Sequence, residues 1–335
     1  MPAGGMRMKQ AVWYSALMVL LSYVAVLAWA GAAMAPSEGE PAKPSEEGPA
    51  EVTAADSQVL LRLKTEAGVQ ELDLQTYLLG VVCGEMPLSF ADAALQAQAV
   101  ASRTFTLYHR GDSKHPEADV CAEAGCCQAW KSEAELEQTF GDQWTMYRSK
   151  ALDAILATDG QVLTRDGALI NAVFFSCSGG MTESAAAVWG AEVPYLQPVA
   201  SPGEEIASVY SGQTTVNLMQ FRETLSRENA AVDLTGNPSA WFGAVTESPG
   251  GGVARMQIGG VWFDGTRLRS LFGLNSTCFT VAVGEEHITF YTRGKGHRVG
   301  MSQYGAQAMA LEGADCAQIV THYYTGVSVT DYMAS

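Results

Sequence analysis

The chain has 335 residues, 47% of them hydrophobic and 17% charged, and a formal net charge of −16. That apolar fraction builds a large core and excludes disorder throughout, while the acidity excludes nucleic acid as a partner, since phosphate binding needs clustered Lys and Arg. Seven cysteines are too sparse for a disulfide scaffold, and an odd count leaves at least one unpaired.

Residues 11–35 carry no charge, and such a run is long enough to cross a bilayer, which takes about 20 apolar residues. Arg7 and Lys9 precede it, which predicts a cytoplasmic N-terminus and an extracytoplasmic body, placing the protein in the cell membrane as a single-pass chain. Ala33-Met34-Ala35 is also an A-x-A cleavage site, so a signal peptide is the rival reading; the length of the run favours an uncleaved anchor. Residues 36–56 hold four prolines, no aromatic residue and a strong acidic excess, which predicts a flexible stem. Residues 57–335 then form the exported domain.

Within that domain, the spacing predicts a helix over 72–82 that ends at Met86-Pro87, because the residue before proline resists the α conformation. Ser89 with Asp92 suggests a capped start for a second helix, running to about Tyr108. Ser132 and Glu135 form another capping signature, opening a helix to Asp159-Gly160 with a kink at Gly141. The period then changes. Residues 162–164 and 168–175 flank Arg165-Asp166-Gly167 as a hairpin, and 253–258, 261–263, 279–283 and 287–291 read as short strands. Residues 201–249 show no clear pattern. Helices early and short antiparallel strands later predict a single large α+β domain behind an N-terminal membrane helix.

Four constellations could carry chemistry. Glu85 is a lone acid in an apolar stretch between two helices, where desolvation favours the neutral carboxyl and suits a general acid. Gln96 and Arg103 share a face of the following helix and could present an amide and a cation to a polar ligand; the plainer reading caps the helix with Glu85 and pairs it with Arg103. The second is Ser176-Cys177-Ser178-Gly179-Gly180-Met181-Thr182-Glu183, where a strand end offers hydroxyls and backbone amides to a hydroxyl-rich ligand, with Trp189 and Tyr195 able to stack on sugar rings. The third runs from Gly294 to Ala306 and holds Lys295, His297, Gln303 and Tyr304; its glycines allow close backbone approach, and His297 titrates near neutrality. Neither a nucleophile elbow nor a phosphate loop is present. In the fourth, His115, Cys121, Cys126 and Cys127 suit a tetrahedral zinc ion, with a Cys121 disulfide as the alternative in an oxidising exterior.

Together these strings resemble the stage II sporulation protein D family, which includes enhancers of cell-wall amidases. The carrying residues are GEMP at 84–87, AQAVASRT at 97–104, SCSGGMTES at 176–184 and GHRVGMSQYGA at 296–306. The resemblance implies a peptidoglycan lytic transglycosylase in which Glu85 protonates the glycosidic oxygen between N-acetylmuramic acid and N-acetylglucosamine. The same carboxylate then deprotonates the muramyl 6-hydroxyl, which closes on C1 to a 1,6-anhydro end. No cofactor is required for that chemistry, and a structural zinc at the cysteine loop is implied as in some members. The implied partners are glycan strands already stripped of peptides, a cell-wall amidase and other membrane proteins of spore engulfment. Such strands carry lactyl carboxylates, and Arg103, Lys295 and Arg298 are candidates to offset their charge. Glu183 is the obvious candidate for a second acid, as a hydrolase needs. The chain departs from the family pattern at Gln96, where a lysine is common, at Arg298, where a glycine is usual, and at Cys177. The same fold would also serve a non-catalytic wall-binding protein that stimulates an amidase.

Overall fold

The computed structural model describes residues 54–334 apart from Ser113. The apolar run at 11–35 and nearly all of the stem lie outside the described residues. No helix among the described residues is long and apolar enough to cross a membrane.

The described chain opens with the hairpin β1 (Leu60–Thr65) and β2 (Gly68–Asp73). Asp73 then caps helix α1 (Leu74–Glu85) by accepting the Thr76 N–H, so this helix starts two residues later than the spacing predicts. It leads to α2 (Asp92–His109), the axis of the first core. Ala94, Ala97, Ala99 and Ala101 are fully buried on α2, and these small side chains let neighbouring helices approach closely. The predicted Ser89 cap is not formed: Ala91 occupies the N-cap without a side-chain bond, and its N–H is satisfied by Gln307 Oε1 at 2.7 Å. Strand β3 (Val120–Cys121) adds to β1 in parallel. The capping box of Ser132 and Glu135 is present and opens α3 (Glu133–Phe140). Gly141 ends that helix at φ +53°, and α4 (Trp144–Leu156) restarts after one 3-10 turn.

Strands β4 (Gln161–Arg165) and β5 (Ala168–Leu169) form the predicted hairpin. Asp166 and Gly167 both have positive φ, as a type I′ turn demands. The second arm is shorter than expected, and the chain re-enters a strand only at β6 (Phe174–Phe175), followed by α5 (Ala185–Trp189). The sequence without clear pattern contains β7 (Ser211–Asn217), α6 (Leu218–Glu228) and β8 (Phe242–Glu247). After them come β9 (Val253–Ile258), β10 (Val261–Asp264), α7 (Gly265–Phe272), β11 (Phe279–Val283) and β12 (His287–Arg293). This stretch builds two three-stranded antiparallel sheets around a second core, in which Phe221, Trp241, Phe272 and Phe290 stack. The chain then returns to the first core through β13 (Met301–Ser302), α8 (Gln303–Leu311), α9 (Cys316–Tyr323) and β14 (Ser328–Asp331). Strand β13 pairs with β6 in parallel, and β14 closes on β4. The architecture is α+β.

Two buried ion pairs lock this arrangement. Arg103 and Asp56 are both fully buried, with Nη2 to Oδ2 at 2.6 Å. Asp56 therefore belongs to the folded body, whereas the sequence reading ends the stem with it. Arg298, at φ +68°, donates to the Ser178, Met181 and Gly250 carbonyls and pairs with Glu183, which in turn accepts from Ser248 Oγ and the Gly250 N–H. This clasp ties the loop after β6 to the β8–β9 turn of the second core.

Candidate active site

Glu85 closes α1, and its setting follows from two glycines on that helix. A Cβ on Gly80 would collide with Trp130 Nε1, and one on Gly84 would lie 2.9 Å from the Ala129 carbonyl oxygen. Spaced four residues apart, they clear one helix face so that residues 129–131 can lie along it. The Ala129 N–H thereby reaches Glu85 Oε1 at 2.6 Å, and Gln303 Nε2 approaches Oε2 at 3.4 Å. Burial pushes the Glu85 carboxyl above its ordinary value, against the opposing pull of those two hydrogen bonds. A carboxyl held towards its neutral form is what a proton donor near neutrality requires.

Glu85 lines a groove of about 420 Å³ together with Phe105, Phe175, Ser176, Arg269, Asn275, Lys295 and His297. No other carboxylate among the described residues lines it. Arg269 donates Nε to the Leu274 carbonyl at 3.2 Å, and neither Arg269 nor Lys295 has an ion-pair partner among the described residues. The groove is thus a locally cationic channel in an acidic protein. His297 Nδ1 accepts the Val299 N–H at 3.1 Å, the ring also hydrogen-bonds the Phe174 backbone, and Phe175 and Trp189 flank it at 5.5 and 5.3 Å. Burial lowers its pKa to about 4, so it is neutral near pH 7 and does not compete with Glu85 as an acid.

Several expected ligand contacts are turned inward, and these expectations are corrected. Arg103 is committed to Asp56 and pairs neither with Glu85 nor with anything in the groove. Ser178 Oγ and the N–H groups of Gly179 and Gly180 all point to the buried Glu204 carboxylate. Thr182 is buried against the Gln197 and Val199 backbone, and Glu183 is spent on Arg298, which removes it as a second acid. The buried Arg298 is likewise no counter-charge for a ligand. Gln96 is half-buried on α2, and Tyr304 packs edge-on against Phe90; neither lines the groove. The Tyr195 hydroxyl oxygen accepts the Asn171 N–H, whereas Trp189 is 48% exposed at the groove's edge. Ser176, Lys295 and His297 do line the groove, and Gln303 backs it through Glu85. Arg269 and Asn275 were missed because the second core delivers them from sequence with no motif of its own.

The fourth constellation converges beside this site. One donor atom from each of His115, Cys121, Cys126 and Cys127 lies within 4.8 Å of the others, and His115 Nε2 is 3.4 Å from both Cys126 Sγ and Cys127 Sγ. A tetrahedral ion with Zn–S near 2.3 Å and Zn–N near 2.1 Å would set such donors about 3.5–3.8 Å apart. The four residues fit a metal ion of that kind, and none of the seven cysteines is in a disulfide. Cys127 also lines the groove, two residues before the amide that holds Glu85.

The groove thus combines one desolvated acid with two cations that have no ion-pair partner among the described residues. Residues 63–165 match the SpoIID family, described as Stage II sporulation protein. The chain is 36% identical over 293 residues to the Stage II sporulation protein D of Bacillus subtilis (strain 168), covering 86% of this chain and 83% of that one. It is 35% identical over 266 residues to the protein of the same name from Bacillus amyloliquefaciens, covering 78% and 76%. An Amidase enhancer of Bacillus subtilis (strain 168) is 28% identical over 313 residues, which span 76% of this chain and 40% of that protein. The chain belongs to the stage II sporulation protein D family.

Proposed function

We propose that the protein is a membrane-anchored lytic transglycosylase that cuts peptidoglycan glycan strands during spore engulfment. The observation that carries this reading is that Glu85 is the single carboxylate among the described residues that line the groove. Hydrolysis usually employs two carboxylates at fixed separation, one of them to activate water or form a covalent intermediate. One carboxyl suffices when the nucleophile belongs to the substrate. Neutral Glu85 gives its proton to the glycosidic oxygen as the C1–O bond breaks. The resulting carboxylate takes the proton of the muramyl 6-hydroxyl, whose oxygen bonds to C1. The proton count closes on Glu85 and no water enters.

Arg269 and Lys295 support an anionic substrate, and peptide-stripped strands present lactyl carboxylates that such cations would recognise. Trp189 supplies an apolar face at the groove's edge for a sugar ring. The cysteine cluster would hold a zinc ion whose part is structural, fixing the segment that leads to Ala129. The apolar run at 11–35 would anchor the chain with this domain on the extracytoplasmic side, beside a cell-wall amidase and other engulfment proteins. The name of the Amidase enhancer relative supports a second reading, a wall-binding protein that stimulates an amidase without cutting glycan.

Mass spectrometry of peptide-stripped strands, incubated with the protein and with Glu85→Gln, separates the two. The transglycosylase reading expects 1,6-anhydro-muramyl ends from the parent and none from the variant. Intact strands bound equally by both proteins would leave the amidase-enhancer reading.

A further inference from the structure

Glu204 was singled out by no motif, yet it is the most heavily bonded carboxylate in the described structure. It is fully buried and has no cationic partner among the described residues. An unpaired carboxylate in a protein interior costs several kcal/mol unless hydrogen bonds replace its water. Here they do, and they are divided between its two oxygens. Oε2 accepts from Ser178 Oγ and the Gly179 N–H, both at 2.7 Å, from the Gly180 N–H at 3.3 Å and from Cys177 Sγ at 3.4 Å. Gly179 and Gly180 both have positive φ, which turns their successive N–H groups towards one point as an anion-binding nest. Oε1 accepts from Ser201 Oγ at 2.8 Å and from Ser302 Oγ.

The two oxygens draw on segments far apart in sequence, one that lines the groove and one that backs it through Gln303. The first is the loop after β6, whose Ser176 lines the groove and whose Cys177 exchanges two backbone hydrogen bonds with Lys295. The second is the start of α8, where Ser302 is the N-cap, accepting the Gly305 N–H at 3.3 Å. The next residue is Gln303, whose Nε2 reaches Glu85 Oε2 at 3.4 Å and Gln98 Oε1 at 3.3 Å. The side chain that touches the catalytic carboxyl therefore rides on a cap that Glu204 fixes.

We propose that Glu204 is a positioning residue: its carboxylate pins the residue 176–180 loop to the N-cap of α8 and thereby sets Gln303 against Glu85. This rests on the reading of Glu85 as the catalytic acid. It also gives the Ser-x-Ser-Gly-Gly string a role other than ligand contact, since its hydroxyl and amides form the cradle for an internal anion.

Ser302→Ala removes the link from Oε1 together with the cap's own bond to the Gly305 N–H and leaves the nest intact, so it tests the Oε1 side of the clamp. Glu204→Gln is the stronger test, since it replaces an acceptor by a donor. A reacting group misplaced by about 1 Å costs up to about 100-fold in rate, so each folded variant is expected to lose roughly 10- to 100-fold in kcat with little change in KM. Gln303→Ala combined with Ser302→Ala should be no slower than the slower of the two single variants, because both act on one contact. A turnover-independent readout is the side-chain amide resonance of Gln303 in glutamine-labelled protein, which should move towards its solvent position in Ser302→Ala. A folded Ser302→Ala with parental kcat, losses that multiply in the double variant, or an unmoved Gln303 resonance would each overturn the proposal. A parent protein that forms no anhydro ends would overturn the reading of Glu85 instead, and the Gln303 resonance would then decide the positioning alone.

Discussion

Glu85 has been placed where ionising is difficult, and that has a cost in stability that can be measured. Its folded pKa is raised, so its contribution favours the native state below the ordinary carboxyl range and is lost as pH rises through the folded value. Glu85→Gln keeps the shape and removes the charge. It should melt above the parent at pH 7, with the difference closing as pH falls towards 4, while activity drops about 10²–10⁴-fold, the usual worth of a general acid. A parent that melts higher at pH 7 would contradict the desolvated carboxyl. His297 has the opposite sign. Its pKa is depressed to about 4, so its contribution is present above the unfolded value near 6.5 and is lost as pH falls towards 4. His297→Gln should flatten the stability profile between those limits, by at most about 1.4 kcal/mol per pH unit for one proton. Thermal melts of parent and variant across pH 4–8 check both residues.

At the scale of elements, the site depends on how closely residues 129–131 lie on α1. Gly84→Ala puts a methyl group 2.9 Å from the Ala129 carbonyl oxygen, where both partners are backbone-fixed. The segment must then move away and take its N–H from Glu85 Oε1. Overpacking of this kind costs about 1–3 kcal/mol, and activity should fall along with urea stability. Unchanged stability and activity would mean that the segment yields freely. The same reasoning applies to Asp56, at the head of the folded body. Asp56→Asn leaves the fully buried Arg103 without its charge partner, and breaking a buried pair in this way costs about 3–5 kcal/mol. Urea unfolding measures it, and a variant of parental stability would contradict that role.

Across the whole molecule, what could be read from the sequence was whatever local chemistry dictates. The Ser132–Glu135 capping box, the Asp166-Gly167 turn and the later strands are fixed by neighbouring residues, and each is found in the structure. Glu85 stood out as a single acid in an apolar stretch before proline, but a helix cap paired with Arg103 was the plainer reading of the residues, and the structure pairs Arg103 with Asp56 instead. The partners of buried charges were not legible. Arg103 meets Asp56 across 47 residues and Arg298 meets Glu183 across 115, and nothing local distinguishes an arginine that faces ligand from one that faces a distant carboxylate. Arg269 and Asn275 escaped for the same reason, since tertiary packing of the second core brings them to the groove. In a protein of net charge −16, Arg103 and Arg298 are thus turned inward, and the cations that line the groove are Arg269 and Lys295.

In the proposed reaction one carboxyl serves as both acid and base while the substrate supplies its own nucleophile. The most direct test is cleavage of peptide-stripped glycan strands in ¹⁸O-water, with the new muramyl ends weighed by mass spectrometry. Anhydro ends that carry no label are expected, because no water enters the reaction. Reducing ends that gain one ¹⁸O per cut would contradict it and require a second catalytic group in the groove.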